Sequence, residues 1–297
     1  FFNRIKKVFK MLKPKSLAIL LILASTVGIS FGGLIMREIE FGNAWQITFH
    51  RNLAFFIAIS LILAKSYGLA SFGALTAVGN PGIIAGIFLA IANICFIHSL
   101  SITSVANTLF TLSAIPFITA TIAFFVLKEV ISLKTLLIMI TAFLGIILMV
   151  SEGLRTNQFT GMALAFCTAL SFSCFAIILR KYNYLDMIPC LLISSFFVIA
   201  ITYIVSAGNI FIPIKEIAYC FLWGGVLSGF VNSAFIFATR YLSASEVTLF
   251  MLLEFSLGPM WVWLFLNEVV SSQTLIGGAI VIFCVSVNSL LKLKESH

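Results

Sequence analysis

Glu254 lies in the middle of the apolar run 244–266, and Arg51, Asn93, His98, Asn107 and Asn232 interrupt comparable runs elsewhere. An ionisable group at membrane depth costs about 2.5–3.5 kcal/mol, so each such residue is a functional candidate by default. As a carboxylate, Glu254 can hold a substrate amine or carry a coupling proton; protonated, it can simply hydrogen-bond a neighbour. Arg51 reads first as a structural or gating residue that pairs with a helix end or with Glu254, or snorkels outward. His50 beside it points about 100° away on a helix, so the two share no direction. His98, near one end of its run, reads as an interfacial hydrogen-bonder or as a substrate contact or proton relay.

A mid-helix Asn in lipid must find a partner. Asn93 and Asn232 either line one cavity from opposite sides or tie helices together. Thr111 lies one turn after Asn107 on the same face, and this pair reads as gate or cavity residues. Pro116 and Pro259 each remove a backbone hydrogen bond, so kinks are expected there, with a freed carbonyl turned toward substrate. Glu129 and Glu268 sit at loop junctions and read as helix-end or inter-repeat contacts.

These residues come in pairs because the chain repeats itself. Asn93–Leu136 recurs without a gap as Asn232–Leu275. Asn93, Phe96 and Ile97 fall on Asn232, Phe235 and Ile236, and Ser104 falls on Ser243. LKEVISLKTL (127–136) falls on LNEVVSSQTL (266–275), and upstream Gly86 falls on Gly225. Asn107 and Glu246 are twins in this register, as are Glu129 and Glu268. A fold built from duplicated halves places its working site between them.

The 297 residues are 61% hydrophobic and 9% charged, with a mean hydropathy of +1.16. A soluble domain carries about 25% charged residues, so this chain cannot cover itself in water. Its apolar runs have the length that crosses a hydrocarbon core. The class is an all-α integral membrane protein. Cys95, Cys167, Cys174, Cys190, Cys220 and Cys284 all lie in apolar runs without CxxC spacing and read as packing residues. There is no HExxH and no Gly-rich phosphate loop, and the sole aspartate, Asp186, lies in a loop, so no cofactor or metal is expected. Gly28-Ile29-Ser30-Phe31-Gly32 matches GxSxG, but inside an apolar helix rather than the strand–turn–helix a nucleophile elbow needs. An enzyme is therefore not expected. The chain begins at Phe1 rather than Met, which leaves its natural start open. Residues 16–33 imitate a signal peptide, but the spans that follow make them a retained helix.

Ten spans are expected: 16–36, 43–64, 82–100, 104–127, 133–150, 161–179, 187–207, 217–238, 244–266 and 273–291, with a loose connection over 65–81. With the N-terminus inside, only Arg37, Arg155 and Lys215 fall outside, and the basic 4–15 segment, Lys65, Lys128, Lys134, Arg180, Lys181, Arg240, Lys292 and Lys294 fall inside. That bias places both termini in the cytoplasm. The formal charge of +8 then faces lipid headgroups rather than nucleic acid. Five helices per copy invert the second relative to the first. The organisation is a basic segment 1–15, a five-helix repeat 16–151, a linker 152–160, a second repeat 161–291 and a tail 292–297, as two inverted five-helix repeats around a central cavity. Trp45, Trp261 and Trp263 read as an interfacial aromatic belt. Gly28/Gly32, Gly82/Gly86 and Gly225/Gly229 read as close-packing positions.

Each repeat also carries a helix with a proline or polar position, an apolar run and then Leu-x-Glu. The first copy runs from Pro116 to Leu127-Lys128-Glu129, and the second from Leu253-Glu254 to Leu266-Asn267-Glu268. With these motifs nearly the whole chain resembles the EamA-type branch of the drug/metabolite transporter superfamily. Phe49-His50-Arg51 resembles that family's aromatic–Arg motif in the second helix. Many members have Glu-Pro where this chain has Glu254-Phe255, with Pro259 a turn later. The resemblance implies ten helices around a cavity formed largely by helices one, three, four, six, eight and nine. It implies secondary-active, alternating-access transport of a small metabolite in a bacterial inner membrane. Efflux of amino acids or related metabolites is the leading expectation, and uptake of a cofactor-like or nucleoside-like solute the alternative. The expected partners are a small-molecule substrate and the lipid bilayer, with a homodimer left open.

Overall fold

The computed structural model describes residues 14–68, 71–103, 105–129, 132–150 and 159–266, together with isolated positions of the last span. Every regular element among them is helical. In lipid only closed hydrogen bonding within a segment satisfies the backbone of a single span, and a helix does this. Among the described residues, six helices are long and apolar enough to cross a membrane, and three shorter apolar helices accompany them: Ile115–Leu127, Leu133–Gly145 and Pro189–Val205.

The first span is two pieces, α1 (Pro14–Ile29) and α2 (Gly32–Glu38), broken at Ser30–Phe31. The second is α3 (Ala44–Tyr67). Its start is fixed by a reciprocal cap: Asn43 Oδ1 accepts from Gln46 N at 3.0 Å, and Asn43 N donates to Gln46 Oε1 at 2.9 Å. The connection expected to be loose contains a short helix, α4 (Ser71–Ala77), and leads directly into α5 (Gly79–Ile102).

The fourth span divides into α6 (Val105–Leu112) and α7 (Ile115–Leu127), and the fifth is α8 (Leu133–Val150). Pro116 stands in the first turn of α7, where its missing N–H costs least, so the helix breaks just before it. The sixth and seventh spans are α9 (Phe159–Lys181) and α10 (Pro189–Val205). The eighth runs through α11 (Ile214–Phe221), a π-helical stretch at Leu222–Ser228, and α12 (Gly229–Ala238). The ninth is α13 (Ala244–Phe250) and α14 (Leu252–Leu266), interrupted at Met251. Pro259 lies within α14, and the ninth span is interrupted earlier, at Met251, the repeat position of Leu112. Most of the tenth span lies outside the described residues.

The packing follows the small residues. α5 lies along α9, and α10 lies against both α5 and α3. The π-helical stretch packs on α3, α12 on α1, α7 on α9 and α13, and α14 on α2 and α1. Gly86 lets α5 approach α10, where an added Cβ would come within 2.8 Å of Ile193 and 3.1 Å of the Cys190 carbonyl. Gly224 is tighter still: a Cβ there would land on the carbonyl of Arg51. That close approach joins the π-helical stretch to the second span at the depth of its buried cation.

Candidate functional site

Arg51 is 6% exposed and does not snorkel. Its Nη1 donates to Asn93 Oδ1 at 3.0 Å, and its Nη2 donates to Ser228 Oγ at 2.9 Å. The guanidinium lies over the Trp223 ring, 4.6 Å from the centroid. A hydrogen bond to a charged group contributes about 1.5–3 kcal/mol, and a desolvated cation–π contact about 2 kcal/mol. Such a set offsets the cost of a buried cation. The π-helical stretch supplies two members of it, Trp223 and Ser228, and the Ser228 hydroxyl, while accepting from Arg51, donates to the Trp223 carbonyl at 2.9 Å. Single π-turns within α-helices mark functional positions often enough that this one invites a role.

Arg51 opens onto a cavity of about 90 Å³. Asn93, Thr168, Ser228, Asn232 and Glu254 supply its polar wall, while Phe96, Phe172, Trp223, Phe235 and Phe255 supply its aromatic one. The repeat register, carried upstream, pairs much of this wall residue for residue. Ile29 falls on Thr168, Leu89 on Ser228, Ala92 on Val231, Asn93 on Asn232, Phe96 on Phe235, Leu112 on Met251 and Ile115 on Glu254, and all of these line the cavity. Glu254 lies in the first turn of α14, where the helix N-terminus favours a negative charge. It forms no side-chain hydrogen bond and no ion pair with any described residue, Arg51 included.

Asn93, Asn232 and Glu254 are thus brought together. The other sequence candidates go elsewhere. His98 packs edge-on to Trp45, with ring centroids 4.1 Å apart, and its Nδ1 lies 2.9 Å from Ile94 O, away from the cavity wall. His50 turns outward, with Nε2 2.7 Å from Ile210 O. Thr111 is in α6 but does not line the cavity. The Asn107 and Pro259 side chains and all of Glu268 lie outside the described residues. Trp261, half-buried, stacks on Phe31 at 4.5 Å and donates to Ser30 Oγ at 2.7 Å, joining α14 to the break in the first span.

Sequence reasoning missed Ser228, Trp223, Thr168 and Phe172. Ser228 carried a signal, since it lies one turn before Asn232 on the same helical face. Trp223 carried none, because its place depends on the π-turn.

At the other end of the bundle, polar residues tie helix ends together. Arg180 Nε donates to Glu129 Oε1 at 2.7 Å and its Nη1 to Thr239 O at 3.1 Å. Arg240 Nη2 donates to Asp186 Oδ1 at 3.0 Å, and Tyr67 also donates to Asp186. These residues cap spans two, four, six and eight and begin span seven.

A search of curated proteins finds no match. Chains of solved structures do match, 29 of them in all. One crystal structure of a protein superposes with a TM-score of 0.75 at 14% identity, covering 93% of this chain and 97% of that one. At that identity the likeness establishes a shared fold. The model of the EamA-like transporter family matches residues 16–151. Residues 16–151 thus carry an EamA-like transporter family domain, within a multi-pass integral membrane protein.

Proposed function

We propose that the chain is two inverted five-helix repeats, 16–151 and 161–291, that rock about the shared cavity and move a small metabolite by alternating access. The observation that carries this reading is the pairing of the cavity wall by the repeat register, from Ile29 with Thr168 to Ile115 with Glu254. Packing supports it too. The sixth span lies on the third as the eighth lies on the first, and the seventh lies on the third as the eighth lies on the second. Paired halves around one site are the design by which transporters exchange inward-open and outward-open shapes. The ends of α6 and α13, one residue apart in the repeat register, supply the discontinuous helices that such sites use.

The substrate is a small amphipathic or zwitterionic metabolite, an amino acid or a relative of one, with efflux as the direction the family resemblance implies. The membrane is a bacterial inner membrane with both termini cytoplasmic, supported by the bias of Lys and Arg toward one side. Glu254 is the candidate for proton coupling. The test is counterflow in liposomes holding the purified protein, with amino acids, amines, nucleosides and vitamins as separate panels. Saturable exchange confined to amino acids or close relatives is expected. Exchange of no panel would remove the transport reading, and exchange of nucleosides alone would remove the substrate class.

A further inference from the structure

The charges of the cavity do not follow its symmetry. Its apolar wall is paired, Ala92 with Val231 and Phe96 with Phe235. Glu254, by contrast, stands where the first half has Ile115. Arg51 comes from α3, whose counterpart in the second half, α10, contributes nothing to the wall. Two opposite charges are thus added to a paired, mostly apolar frame. They share one cavity and attract each other across it without closing to an ion pair. Glu254 is unbonded, and Arg51 spends two of its five N–H donors on Asn93 and Ser228. Desolvated charges in this position are each costly until something completes them.

We propose that Arg51 is a substrate-binding residue, the anion anchor of a two-ended clamp whose other end is Glu254. This rests on the transport reading above and names the chemistry of its site. The ligand carries a carboxylate for the guanidinium, an ammonium for Glu254 and an apolar body for the aromatic wall. A ligand with one charge leaves the opposite protein charge uncompensated in a low-dielectric space, so the clamp rejects simple amines and simple acids. Asn93, Ser228 and Trp223 are positioning residues: they hold the guanidinium at the cavity edge while leaving donors over.

The test uses the full chain in detergent and three probes of one shape: L-leucine, isopentylamine, which lacks the carboxylate, and 4-methylpentanoate, which lacks the amine. Wild type is expected to bind leucine at least about tenfold tighter than either analogue, the size of one unmet buried polar contact. In Arg51→Gln the preference for leucine over isopentylamine disappears, while the preference over 4-methylpentanoate remains. Glu254→Gln gives the mirror result. A purely structural Arg51 would lower stability and leave both ratios unchanged, and that outcome overturns the proposal. Should Arg51→Gln fail to fold, Arg51→Lys keeps the charge and loses the planar fork. Its leucine-to-isopentylamine ratio is expected to fall at least about threefold, and an unchanged ratio overturns the proposal equally. Unaltered binding ratios defeat only the role of Arg51, whereas absence of all counterflow in the liposome test above defeats the transport reading itself.

Discussion

Asn93 and Asn232, one repeat apart, make the same backbone bond and different side-chain ones. Each donates its amide N–H to the carbonyl four residues earlier, at 3.1 Å and 2.9 Å. Only Asn93 goes on to accept from Arg51. Asn93→Ala therefore leaves a buried guanidinium N–H unpaired and is expected to cost about 1.5–3 kcal/mol. Asn232→Ala is expected to cost less than about 1 kcal/mol, because the bond it loses is a neutral one within its own helix. Unfolding of both variants in a denaturing-detergent titration measures the difference, and equal losses would contradict it.

Glu254→Gln keeps the shape of the cavity and removes the charge that a coupling proton would neutralise. Uptake driven by a pH gradient is expected to fall at least about tenfold, the scale of one lost general acid–base group. Exchange of substrate for substrate, which needs no proton, is expected to persist once the substrate concentration is raised to offset the weaker hold on its ammonium group. A variant that still accumulates substrate against the same gradient would show that the proton travels elsewhere.

Gly224 and Gly229 provide a matched pair for the contact between the eighth span and α3. A methyl at Gly224 meets the Arg51 carbonyl, whereas at Gly229 it meets Ala58 Cβ at an ordinary 3.5 Å. Gly224→Ala is expected to destabilise by about 1–3 kcal/mol through forced separation of the helices. Gly229→Ala should be neutral or slightly stabilising, since Ala is the better helix former. Thermal unfolding of the two variants decides the point.

The ties among helix ends should behave as latches rather than as supports. Arg180 and Glu129 are 25% and 24% exposed, and Arg240 and Asp186 are 34% and 36% exposed. Pairs this wet are worth about 0–1 kcal/mol each. Glu129→Gln with Asp186→Asn is expected to change global stability little and to speed amide exchange over residues 181–187 and 239–243. Unchanged exchange there would mean that the backbone contacts alone hold these ends closed.

Much of this was legible because membrane depth makes polar residues conspicuous. Asn93 and Asn232 announced themselves by the repeat, and Glu254 by standing alone in an apolar run. Arg51 was equally visible but its direction was not, since the choice between lipid, helix end and cavity depends on Gly224 and Trp223 lying against it. Pro116 stands at a helix start, but the corresponding interruption at Met251 has no proline at its position, so the repeat register predicts it better than local chemistry does. Tertiary packing of α11 also leaves Glu216 1% exposed, a burial that its charge does not announce.

The π-helical stretch Leu222–Ser228 has a consequence for length as well as contact. A π-turn closes its hydrogen bond one residue later than an α-turn, and each helical residue sweeps about 100°. The surplus residue therefore sets the bearing of everything beyond it, Asn232 and Phe235 included. Deleting a single residue between 222 and 228 would give a smoother helix that still crosses the bilayer. Its polar marker would then face away from the centre, and one half of the site would be blank on a chain whose composition had hardly changed.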